Sequence, residues 1–121
     1  MTYILKKDYY GHGFKIGSTW TFRFTRKAGD PAVAVDITGL TSRVMFRETS
    51  VDGNIVVTVA NASITNGGVT GEISFSLTAA QTATFAAGIW HFFDIEMTAV
   101  GGNIWQSPTF KFKTEQEVTR P

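Results

Sequence analysis

In the stretch Trp20-Thr21-Phe22-Arg23-Phe24-Thr25, every second residue is a large aromatic and every residue between is polar. A strand turns successive side chains to opposite faces. This order therefore sends three rings inward and Thr21, Arg23 and Thr25 toward water, whereas a helix would scatter the rings around its circumference. The same period returns along the chain. Val44 and Phe46 stand opposite Arg43, Met45 and Arg47; Ile73, Phe75 and Leu77 share a face; Phe110 and Phe112 alternate with Lys111 and Lys113. Val33, Val35 and Ile37 read the same way.

Turn chemistry separates these runs. Gly29 and Pro31 mark a turn after the first, and Asp52-Gly53 predicts a hairpin leading into "IVVTVA". Gly101-Gly102 supplies the positive φ angles of another tight hairpin, and Pro108 predicts an edge or a bulge because it donates no hydrogen bond. Only 78–88 breaks the period, where an Ala-rich run behind Thr78 predicts a short helical crossing with Thr78 as its N-cap. About seven strands and one short crossing predict an antiparallel β-sandwich over residues 14–113. Residues 1–13 show no clean alternation, with Gly11-His12-Gly13 reading as a turn, and residues 114–121 are polar. Both ends are expected to be arms beyond the domain body.

The 121 residues suit one domain, and 43% hydrophobic against 17% charged residues predicts a folded core. Without cysteine, disulfides, thiolate metal sites and cysteine catalysis are excluded. A net charge of +1 gives no global pull toward nucleic acid or anionic membrane. Basic residues do gather in the first part of the chain (Lys6, Lys7, Lys15, Arg23, Arg26, Lys27, Arg43, Arg47), but scattered as solvated strand faces would scatter them. No signal peptide or membrane span is read from the chain, so a cytoplasm-like site of synthesis is expected.

The densest collection of chemistry is Gly88-Ile89-Trp90-His91-Phe92-Phe93-Asp94-Ile95-Glu96-Met97. As a strand it sends His91, Phe93, Ile95 and Met97 one way and Trp90, Phe92, Asp94 and Glu96 the other. His91 and Asp94 then cannot form a base and its orienting partner. Asp94 and Glu96 share a face about 7 Å apart, but glycosidase pairs come from separate elements in a deep cleft. His12 has no metal-ligand spacing to His91 or to a carboxylate, and "GHGFKIG" lacks the helix of a phosphate loop. No catalytic residue, cofactor or metal is expected.

Outward-facing Trp90 and Phe92 raise a different question. Leaving a Trp in water forgoes roughly 4–6 kcal/mol, so a cover is expected. The first candidate is the chain's own N-terminal segment with Tyr9, Tyr10 and Phe14, ahead of another subunit and of a stacked sugar flanked by Asp94 and Glu96.

Several segments resemble a family. "IGSTWTFRF" (16–24) resembles an opening strand of the form G-[DS]-T-[FW], and "DITGLTSRVMFRE" (36–48) is similar to the hairpin D-[LI]-T-G-[YL]-x-x-[RK]-[VM]. "GEISFSLTAAQTATFAAGIW" (71–90), "FFDIEM" (92–97) and "EVTR" (117–120) follow in the family's order. The family is that of small phage virion domains resembling the immunoglobulin-like N-terminal domain of siphophage baseplate upper proteins. The resemblance implies an immunoglobulin-like sandwich and a non-enzymatic structural protein of the virion. It would be assembled in the host cytoplasm, as an adaptor in the tail, baseplate or fibre-attachment region. Implied partners are other tail, baseplate or fibre proteins and further copies in a symmetric ring. Nucleic acid and membrane are not expected as partners, and a host glycan is the weakest expectation. Contacts are expected from Tyr9, Tyr10 and His12 at one end, Val118 and Arg120 at the other, and Trp90, Phe92 and Trp105 on the aromatic face. The alternatives are a capsid decoration protein and a carbohydrate-binding module stacking sugars on Trp90, Phe92 and Trp105.

Overall fold

The computed structural model describes residues 2–4 and 10–116, with side chains from 14 to 116. Among the described residues, two sheets face each other. One orders β1 (Thr2–Ile4), β3 (Trp20–Thr25), β9 (Glu72–Leu77) and β8 (Thr65–Asn66). The other orders β2 (Tyr10–Lys15), β12 (Phe110–Glu115), β10 (Trp90–Thr98), β6 (Thr41–Glu48) and β7 (Ile55–Val59), with β11 (Ile104–Gln106) also against β10. A small ribbon pairs β4 (Lys27–Ala28) with β5 (Val33–Ala34). The chain is an all-β, immunoglobulin-like sandwich. Its pairs are antiparallel except β1 with β3 and β2 with β12, which are parallel.

The period-two reading locates β3, β6, β9, β10 and β12, whose inward residues are buried in strict alternation. The aromatic rings interlock between the sheets. Phe22 of one sheet meets Phe93 at 5.6 Å and Phe46 at 5.7 Å in the other, and Phe24 meets Phe110 at 5.7 Å between centroids. Fully burying such a ring stabilises the fold by about 3 kcal/mol, so this cluster dominates the energetics. Trp20 also donates its indole N–H to the Lys15 carbonyl at 2.9 Å, which removes the cost of burying that polar group.

The crossing between sheets is α1 (Ala79–Thr82), one turn long. The Thr78 hydroxyl accepts from the Gln81 amide at 3.2 Å, and the Gln81 side chain accepts from the Thr78 amide at 2.9 Å. This reciprocal cap satisfies donors that so short a helix leaves open.

Three expectations are corrected. Residues Gly11-His12-Gly13 are not a turn: they lie within β2, whose first residue Tyr10 pairs with Lys111. Strand limits thus cross both expected boundaries, since β2 begins before residue 14 and β12 runs past 113 to Glu115. Residues Val33 to Ile37 are largely a tied loop rather than a strand of the sandwich, with Ile37 donating to the Gly68 carbonyl and Val35 to that of Arg26. The expected β6–β7 hairpin is present, with its positive φ at Thr49. Gly53 is needed for space, because a Cβ there would collide with the Glu48 carbonyl.

Pro108 sits where β10 changes partners. β12 pairs with Trp90 to Phe93 and β11 with Glu96 to Thr98. Between them Ser107 spans the gap, donating its amide to the Ile95 carbonyl and accepting from the Ile95 amide on its hydroxyl, both at 2.9 Å. A side chain completes the ladder where proline could not.

Candidate functional site

The opposite orientations expected of His91 and Asp94 are found. His91 is fully buried among Phe85, at 4.9 Å, and Phe112, at 5.6 Å. Its Nε2 donates to the Ala86 carbonyl at 3.1 Å, while Nδ1 has no partner. Burial holds its pKa below the ordinary histidine value, against weaker upward pulls from that hydrogen bond and from Glu48. It is a neutral core residue, with no access to substrate or metal.

Trp90, Phe92, Asp94 and Glu96 share the outer face of β10. Register places Arg47 opposite Phe92, Met45 opposite Asp94 and Arg43 opposite Glu96 on β6. A groove of about 250 Å³ opens over these residues other than Trp90, closed at its sides by Val51, Gln106 and Thr109. Arg43 pairs with Glu96 at 3.2 Å, and Gln106 donates to the other oxygen of that carboxylate at 3.4 Å. Arg47, which also lines the groove, donates to the Gly53 carbonyl at 2.9 Å rather than to a carboxylate. Asp94, half-buried between them, has no hydrogen-bond or ion-pair partner among the described residues. Burial raises its pKa, the Glu96 charge adds to that, and Arg47 pulls the other way.

Trp90 is 38% exposed. Its described cover is Lys111, whose ammonium lies 5.0 Å from the ring centroid. Phe14, expected to help cover it, is instead fully buried between the sheets. Trp105 does not join Trp90 and Phe92. It pairs with inward-facing Met97, packs against the core by Phe24 and lies under Arg26, whose guanidinium is 4.3 Å from its ring. The three-ring platform expected for sugar stacking is therefore not assembled. Tyr10 and His12 have their backbone on edge strand β2. Tyr9, Val118 and Arg120 lie outside the described residues.

The groove residues on β6 and β11 escaped the sequence reading because each looks like a solvated strand face. Only cross-strand register gathers Arg43, Met45, Arg47 and Gln106 around Asp94. Among the described residues, no group of three His, Asp or Glu side chains is arranged to hold a metal ion. No helix there is long and apolar enough to cross a membrane.

No family model matches the chain, and no curated protein does. Solved structures similar to it include CopC from Methylosinus trichosporium OB3b, at 10% identity and a TM-score of 0.41 over 80% of this chain and 99% of that one. Murine CRIg is another, at 6% identity and a TM-score of 0.42 over 96% of this chain and 92% of that one.

Proposed function

We propose that the chain is a non-enzymatic structural protein of a bacteriophage virion, an adaptor held in many copies in the tail, baseplate or fibre-attachment region. The observation that carries this reading is the ordered set of motif segments from Ile16 to Arg120. Its support is that motif residues in the described part serve the fold rather than a reaction. Asp36 accepts from the Thr38 hydroxyl at 2.6 Å and from its amide at 2.9 Å, an Asx turn that opens the loop before β6. Those bonds also hold its carboxyl below the usual aspartate range. Thr78 and Gln81 cap α1. A rigid sandwich with outward polar groups and an aromatic patch suits repeated docking in a symmetric particle.

The test is association with particles. Gradient-purified virions of the phage encoding the chain should contain it at several copies each, by peptide mass spectrometry, and an antibody should label one fixed place in electron micrographs. A chain found only in the soluble fraction of the lysate would refute the reading. Deletion of 117–121 leaves β12 whole and is expected to give a folded protein that no longer enters particles.

A further inference from the structure

The outer face of the β12–β10–β6–β7 sheet is ordered in rungs. Nearest the β6–β7 hairpin, Lys113 lies beside Trp90. The next rung holds Lys111, Phe92, Arg47 and Ile55. Above it come Asp94, Met45 and Thr58, and then Gln106, Glu96 and Arg43. The lower two rungs thus carry three cations and no carboxylate, while the upper two carry Asp94, Glu96 and one cation; beyond Lys113, the exposed Glu115 is offset by Lys15 opposite it on β2. Apolar surface runs through the middle and the basic end, from Met45 and Phe92 to Trp90, Val51 (57% exposed) and Ile55 (48% exposed).

We propose that a second copy of the chain docks on this face, sheet against sheet, with the strands of the two copies antiparallel about a two-fold axis perpendicular to them. Such an axis keeps β10 over β10 and reverses the order of rungs. The Lys113 and Trp90 rung then meets the Glu96 rung of the second copy, and the Phe92 and Arg47 rung meets Asp94. The parallel alternative would set cationic rungs against cationic rungs, so the charge order selects one of the two isologous arrangements. Lys113 and Asp94, both without an ion-pair partner among the described residues, each gain an opposite charge. The raised pKa of Asp94 fits a carboxylate that is partly desolvated before its counter-charge arrives. Trp, Phe, Met and Arg are the side chains enriched in interface centres. This docking does not rest on the virion reading, since a free chain could pair in the same way.

Sedimentation equilibrium of the full chain, from micromolar to near-millimolar, tests it. The wild-type chain is expected to dimerise. Lys113→Glu and Glu96→Lys should each weaken the dimer about tenfold or more, and the double variant should recover it, because the swap restores opposite charges only across an antiparallel pair. Melting curves check that each variant folds. Dimer affinity should also fall with added salt, a reading that needs no variant. A chain monomeric throughout the range, a dimer indifferent to charge and salt, or single variants whose loss the double variant does not recover would each overturn the proposal.

Discussion

Mild acid should destabilise this sandwich through His91. The side chain is fully buried, its Nε2–H is committed to the Ala86 carbonyl, and its Nδ1 lone pair faces the aromatic core without a donor. Thr114 donates its hydroxyl to the same carbonyl at 2.5 Å, so that acceptor is already shared. Protonation would place an N–H and a charge at Nδ1 with nothing to receive them. Glu48, directly opposite on β6, favours the charged form, but burial outweighs it. The folded pKa therefore lies below the unfolded value of 6.5. Stability is at its full level above pH 6.5 and falls as pH drops from there toward the folded value. A buried donor left unsatisfied costs about 1–3 kcal/mol, which sets the expected loss. Urea denaturation from pH 8 to 5 would measure it, with His91→Phe as the comparison. The phenyl ring fills the same space without a titrating nitrogen, and Ala86 keeps its bond from Thr114. The wild-type midpoint should fall across this range more than that of His91→Phe. Equal slopes for the two proteins would refute the assignment to His91.

Three further outcomes are expected. Thr78→Ala removes half of the capping box and should cost about 0.5–2 kcal/mol in urea unfolding, with no loss of sheet content by circular dichroism. Trp105→Ala should lower stability by about 2 kcal/mol, because the ring packs on Phe24 under Arg26, and Trp90→Ala should cost less, because its ring is partly exposed; thermal melts of the two variants would compare them. Asp94→Asn should stabilise the monomer at pH 7: the folded pKa of Asp94 is raised, so stability present below its unfolded pKa is lost as pH rises through the folded one, and a neutral amide escapes that loss. Urea midpoints at dilute concentration, at pH 4 and 7, would show the gain at the higher pH alone.

Alternation exposes the fold wherever one face of a strand is buried and the other wet. That condition holds for β3, β6, β9, β10 and β12, and it also separates His91 from Asp94. It fails at β2, a parallel edge strand whose pairing with β12 is interrupted by a bulge between Phe112 and Thr114. It misleads at Val33, Val35 and Ile37, where apolar spacing imitates a strand in a loop pinned by Asn66, whose amide donates to the Ile37 and Leu40 carbonyls. Among the described residues seven strands have five or more residues, the expected number, but β2 takes the place of that loop in the set. The outer groove is less legible. Phe92 and Asp94 stand out in one strand, whereas Arg47, Met45 and Arg43 become their neighbours only through a register no local pattern reveals.

Because β2 and β12 run parallel as neighbours, the chain enters β2 at Tyr10 near one pole of the sandwich and leaves β12 at Glu115 near the other. Six residues of strand separate the poles by roughly 20 Å. Tension applied between those points would slide the two strands past each other, loading their ladder hydrogen bonds together rather than peeling them one by one. Between these two points the β2–β12 pair has the geometry of a shear joint, in which the rungs of the ladder resist together.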